Sequence, residues 1–258
     1  MKKYIYTLLS VLMVVFASSC RKQSEGVTDI TNYFQLYGAK AMYLGVGDEF
    51  VDPGYKELWG GGTVVVKVED MTGMQVEKVS TAEPGFFTIT YSVVNEQGLP
   101  FSMKRMVYIY DSSVTETLGD FKVDGENSKY GNGTSYATYA AAYAGQGRTT
   151  NDSPDITFKQ VAGNIYSCSD LLGGWYTWIQ GRGPMYEASY GIDFFDMFGY
   201  VTLNADMTIT LLSSSIKCWG DSLDYLINGV YDPDTKTLSY DWSYANGAVK
   251  GHVVMVQQ

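Results

Sequence analysis

Histidine is almost missing from this 258-residue chain; His252 is the only one. Nucleophilic catalysis through Ser-His-Asp or Cys-His arrangements needs an imidazole base, so nearly all of it is excluded. No serine stands in a G-x-S-x-G elbow either. Cysteine is scarce, at positions 20, 168 and 218, and one histidine with distant thiols cannot assemble a zinc site. No EF-hand spacing occurs. Asp232-Pro233-Asp234 sets a proline between its carboxylates and suits a hairpin turn better than calcium. Basic residues are outnumbered 18 to 28, for a net charge of −10, and no basic stripe exists to neutralise nucleic-acid phosphates. Gly181-Arg182-Gly183 lacks the third glycine and following helix of a dinucleotide fingerprint. Asp193 with Asp196, and Asp221 with Asp224, are carboxylate pairs of the kind glycosidases use. An acidic chain supplies such pairs by chance, and the first suits a capped or solvated helical turn. The chain reads as a non-enzyme with no cofactor, and His252 as a solvent-side strand residue.

What is present begins at the N-terminus. Lys2 and Lys3 precede an apolar run from Tyr4 to Phe16, then Ala17, Ser18, Ser19 and Cys20. A positive flank, a short apolar stretch and small residues mark a secretory signal. The run is too short to span a bilayer, which takes ~20 apolar residues. Cysteine directly after the small residues resembles the bacterial lipobox. That resemblance implies cleavage before Cys20 and acylation of its thiol, anchoring the mature chain in a membrane, with several acyl chains needed for a durable hold. Residues 1–19 are then a lipoprotein signal peptide, and residues 20–32 a lipidated, polar, aperiodic tether. Removing the leader leaves 16 basic residues against 28 acidic ones. Arg21 and Lys22 follow Cys20 where surface-exported lipoproteins of this type often carry acids, so surface and periplasmic orientations both stay open. Outside the cytoplasm a Cys168–Cys218 disulfide is permitted; two buried free thiols are the alternative.

From Tyr33 the pattern alternates with period two, which is the signature of strands. Phe87, Ile89, Tyr91 and Val93 share one face; Val107 and Ile109 alternate with Tyr108 and Tyr110. Asp52-Pro53-Gly54 and Glu83-Pro84-Gly85 are turns, each with a preset proline φ and a permissive glycine. No helical period is evident between Tyr33 and Asp111. The segments GDEFVDPGYKE and EPGFFTITYSVVNEQGLPFSMKRMVYIYD resemble bacterial immunoglobulin-like surface domains. Gly47, Phe50, Asp52, Pro53 and Gly54 form the opening; Pro84, Gly85, Phe87, Ile89 and Tyr91 form a strand; Gly98 and Arg105 lead into the last strand. The resemblance implies an immunoglobulin-like β-sandwich over residues 33–111 and is almost silent on function.

After a polar junction at Ser112 to Thr117, residues 118–258 read as a second all-β unit. Tyr200 to Leu212 is a hairpin turning at Asn204-Ala205-Asp206. Leu238, Tyr240, Trp242 and Tyr244 share a face that reads as core. Serial hairpins without helical crossovers predict an antiparallel sandwich or up-and-down barrel. GGWY, WGDSL and YDPDTKTLSYDWSY resemble lipoproteins of Bacteroides-type bacteria, many of them encoded with outer-membrane glycan-uptake systems. That implies an outer-membrane setting, with glycan or outer-membrane transporter components as partners.

Tyrosine is abundant, with 22 residues, and Gly173 to Tyr200 is dense in rings and glycine. Flat rings with polar edges suit stacking on the apolar faces of sugars. Read as a strand, this stretch points Trp175 one way and Trp178 the other, so at most one is exposed. Trp219, at a strand end beside Cys218, reads as lining a cavity mouth. The expected ligand-binding set is Trp175, Trp178, Tyr186, Tyr190 and Trp219, serving a non-catalytic, glycan-binding envelope lipoprotein. The alternatives are a structural or adhesive envelope protein, or a transporter-associated subunit, either of which favours an exposed apolar patch. A lipocalin-like carrier instead needs an enclosed apolar cavity.

Overall fold

A computed structural model describes residues 34–57, 62–94, 98–149, 153–182, 189, 191 and 193–258. The leader, Cys20, the tether, Tyr186 and Tyr190 lie outside the described residues.

The N-terminal unit contains β1 (Phe34–Leu36), β2 (Ala41–Gly45), β3 (Tyr55–Glu57), β4 (Val65–Glu69), β5 (Gln75–Val76), β6 (Gly85–Val94) and β7 (Pro100–Tyr110). One sheet runs β2-β7-β6-β4-β5, and β1 pairs with β3 in a separate ribbon. The period-two reading of β6 holds in its burial. Ile89, Tyr91 and Val93 point into a core with Phe34, Val107 and Ile109, while Phe86 faces the other way. The fold is the immunoglobulin-like one that the motif implies.

That motif has a physical cause. The Arg105 guanidinium, wholly buried, pairs with the Asp52 carboxylate, and the Tyr91 hydroxyl donates to the same carboxylate at 2.6 Å. Arg105 also donates to the carbonyls of Ala39, at 3.2 Å, and of Tyr37. A buried guanidinium is tolerated only when its donors find partners. The Asp-Pro-Gly turn, held by Gly54 at φ +75 and a Gly54 N–H bond to Asp52 Oδ1 of 3.0 Å, delivers that carboxylate.

The C-terminal unit contains β8 (Asp120–Val123), β9 (Lys129–Gly131), β10 (Tyr136–Thr138), helix α1 (Tyr139–Gly145), β11 (Asp155–Ala162), β12 (Ile165–Cys168), a π-helical turn (Trp175–Ile179), β13 (Met197–Leu203), β14 (Thr208–Ile216), β15 (Tyr225–Asp232), β16 (Thr237–Tyr244) and β17 (Val249–Gln257). Strands β11 to β17 pair antiparallel in chain order, β8 pairs with β11, and β17 returns to β8 through Met255–Val123 and Gln257–Phe121. Of the two architectures left open by the sequence, this is the barrel: an eight-stranded, antiparallel, closed one. Closure removes the free edges that an open sheet exposes. The β9–β10 hairpin attaches further along β17, through the Lys250–Gly131 and His252–Lys129 pairs.

Leu238, Tyr240, Trp242 and Tyr244 are all buried inside the barrel, as their shared face predicts. Gly251 on β17 makes room for Trp242: a Cβ there would lie 2.3 Å from Trp242 Cε2. Helix α1 is absent from the strand-only reading. The Thr138 hydroxyl caps it by accepting from Ala141 N at 3.1 Å, and Tyr139 and Tyr143, one turn apart, are its buried face.

The two units pack on each other. Phe86 of the sandwich meets Tyr200 of the barrel edge-on at 4.9 Å between centroids, beside buried Ile165 and Leu212. Asp111 N–H donates to Asn164 Oδ1 at 2.8 Å, so the polar junction leads into a fixed contact.

Candidate functional site

The ring-rich stretch does not form a strand. Gly173 and Gly174 both take left-handed backbone, with φ +61 and +83, and Gly174 faces Pro154, which a Cβ would approach to 2.5 Å. Asp170 holds this bend from within: its carboxylate accepts the N–H groups of Leu172 at 3.0 Å, Gly174 at 2.7 Å and Met197 at 3.0 Å. The chain then winds through the π-helical turn Trp175–Ile179. The alternation argument for Trp175 and Trp178 is thereby corrected, because a helical turn does not send successive side chains to opposite faces.

Trp175 is only 7% exposed and packs 6.0 Å from Trp242; it belongs to the core and not to an open site. Trp178 is half-buried, with the Arg148 guanidinium 4.8 Å from its ring centroid. Trp219 is 49% exposed. Beneath it lie Tyr176 at 5.2 Å and Phe195 at 5.9 Å, both buried. Arg182 sits 5.8 Å from the Tyr176 ring and 5.9 Å from the Trp219 ring, within cation–π range of both. Tyr244 touches Tyr176 edge-on and donates to Asp221 Oδ2 at 3.0 Å. The result is a shelf: one exposed indole on buried rings, flanked by a guanidinium and a carboxylate. Sequence reasoning identified Trp219 but missed Tyr176, Phe195 and Arg182, which the π-helical turn and its neighbours bring together.

The carboxylate pairs are spoken for. Asp193 pairs with Lys217, whose ammonium holds its carboxyl below the usual range. Asp196 accepts from the Thr177 hydroxyl, and burial raises its pKa. Asp224 accepts from Ser243 and from the backbone of Asn246 and Gly247. His252 lies on the outer wall, half-buried, with Nδ1 2.7 Å from Asp241 Oδ1. Of the two alternatives left open for the thiols, the free one is found: Cys168 points into the barrel core and Cys218 is half-buried beyond the end of β14. The barrel closes as a carrier requires, but its interior is occupied by Trp242, Tyr240, Tyr139 and Tyr143.

These features define a class of architecture, an immunoglobulin-like domain ahead of a closed antiparallel β-barrel. Residues 34–109 match the family model for the bacterial surface protein Ig-like domain. Residues 119–257 match a second family model, described as a "-like, C-terminal domain". The second match spans more than half of the chain, and the chain belongs to that family. Among solved structures, the chain is similar to the lipoprotein BT2262 from Bacteroides thetaiotaomicron, at 28% identity over 87% of this chain and 98% of that one, with a TM-score of 0.43. No curated protein sequence matches it.

Proposed function

We propose that this protein is a lipid-anchored lipoprotein of the outer membrane that binds a glycan on the barrel's ring shelf and performs no chemistry of its own. The single observation that carries the reading is Trp219: a half-exposed indole backed by buried rings is a rigid, apolar platform. Such a platform costs little side-chain entropy when a sugar face settles on it. Arg182 and Asp221 stand beside it as donor and acceptor for hydroxyl groups. Stacking on one indole with a few hydrogen bonds gives weak binding, with Kd on the order of millimolar to micromolar.

A glycan array followed by calorimetry on the full chain tests this. Binding of a neutral oligosaccharide that weakens about tenfold or more in Trp219→Ala supports it. An array without a hit, and no heat at millimolar sugar, refutes it. The anchor has its own test: a palmitate analogue labels the chain in cells, and Cys20→Ser abolishes the label.

Exposed Val65 and Val66 on β4 and Val94 at the end of β6 favour a second reading, in which that domain packs on a transporter or other envelope component. Val94→Lys leaves glycan binding intact and breaks such an association in a crosslinking experiment.

A further inference from the structure

The outer wall of the barrel carries a second hollow, away from the ring shelf and lined by different residues. Two outward-facing rows cross it. In one, Lys129, His252, Asp241 and Ile227 are successive register partners on β9, β17, β16 and β15. In the next, Tyr136, Gly131, Lys250, Ser243 and Tyr225 are partners from β10 to β15. Gly131 and Ser243 place almost nothing on this face, and the Ser243 hydroxyl is turned aside to Asp224 at 2.9 Å. Ser243 itself is wholly buried, and the hollow of 470 Å³ between Tyr136 and Tyr225 is lined also by Ile227, Gly251 and Trp242. Four strand spacings separate the strands of these tyrosines, roughly 19 Å. Gly131 is forced by the hairpin itself, since a Cβ would lie 1.9 Å from Ser135 O.

Its electrostatics oppose those of the rest of the chain. In a protein of net charge −10, Lys129 and Lys250 both line the hollow, and neither makes an ion pair among the described residues. The acid lining it, Asp241, is already engaged: Oδ1 faces His252 Nδ1 at 2.7 Å and Oδ2 accepts from Asn228 Nδ2 at 2.7 Å. Lys129 is thus left for a ligand, Lys250 is shared with the nearby Asp224 carboxylate through charge alone, without an ion pair, and the imidazole is held in place by Asp241. Tyr136, half exposed, and Tyr225 supply ring faces and hydroxyls at the two ends. A bare inorganic anion uses the lysines but not the tyrosines or the length. A long polyanion meets the overall negative charge of the chain.

We infer that this hollow binds an acidic sugar, a hexuronate or a short chain of hexuronates. The carboxylate sits between Lys129 and Lys250 in charge-assisted hydrogen bonds, and the ring lies against a tyrosine. The site is independent of the ring shelf and stands whether or not the shelf binds a neutral glycan.

The test titrates the full chain with trigalacturonate, galactotriose and inorganic phosphate, followed by calorimetry and by chemical shifts of the tyrosines. Trigalacturonate binds in the millimolar range or tighter, and Lys129→Ala and Lys250→Ala each weaken it about fivefold or more. Trp219→Ala leaves this affinity unchanged, and added salt lowers it. Lys129 is exposed, so its substitution reports on binding without threatening the fold. Absence of binding at ~10 mM trigalacturonate overturns the inference. So does equal affinity for galactotriose or phosphate, or an affinity indifferent to both lysines but lost in Trp219→Ala.

Discussion

Arg105 on β7 and Asp52 in the turn before β3 are 53 residues apart in sequence and form an ion pair in which the guanidinium is wholly buried and the carboxylate is partly open to solvent. Removing the acid leaves a buried charge without its counter-ion, and that asymmetry drives the cost. Asp52→Ala is therefore expected to destabilise the immunoglobulin-like domain by about 3 kcal/mol, read as a lower urea midpoint. Asp52→Asn, which still accepts from Tyr91, is expected to fall between the two. An Asp52→Ala midpoint equal to that of the parent chain would show that the pair does not organise the domain.

Gly251 and Trp242 make a sharper steric case. An added methyl would meet three indole atoms at 2.3 to 2.6 Å, so Gly251→Ala overpacks the barrel interior. The expected loss is about 1–3 kcal/mol. Trp242→Phe in the Gly251→Ala background should recover part of it, because the smaller ring vacates that space. Additive losses in the double variant would mean that the two side chains do not compete.

Asp170 gives the barrel a pH dependence with a definite sign. Burial, then the nearby Asp196 carboxylate, push its pKa up to about 7 from 3.8, outweighing the three backbone N–H groups that pull it down. Between those values the folded chain holds a proton that the unfolded chain has released. This group's contribution is therefore fully present below about pH 4 and is lost as pH rises through 7. Urea midpoints measured from pH 4 to 8 should fall over that window, and Asp170→Asn should flatten the fall. A parent and a variant with parallel profiles would assign the slope to other groups.

The free thiols predict a labelling pattern. Burial raises the pKa of Cys168 and pushes that of Cys218 up to about 11, so few thiolates exist at neutral pH. A chain beginning after Cys20 should take up little iodoacetamide when native and two alkyl groups in urea without reductant. Uptake that waits for reductant would establish a bridge.

The strands were legible wherever the pattern was local. Leu238 to Tyr244 alternates without interruption, and the barrel uses that alternation directly. The immunoglobulin-like motif was legible because Asp52, Tyr91 and Arg105 satisfy one another. Closure was not, since the pairing of residues 121–123 with 255–257 joins the first and last strands of the barrel, which no local period encodes. Helix α1 hid in a short alanine run, although the spacing of Tyr139 and Tyr143 was a usable signal. At the shelf, Trp219 was visible as a ring beside a strand end. The fate of Trp175 and Trp178 was not, because it depends on Asp170, a lone carboxylate with no motif around it. The wall hollow was equally invisible: its residues come from five strands and meet only through register.

The seam between β17 and β8 sets an order of events for a chain made from its N-terminus. Until the nine residues of β17 are made and released, the nascent barrel is a sheet with two raw edges, at β8 and β16. The whole wall waits on its eighth strand. Loss of β17 would leave those edges open to pair with other chains.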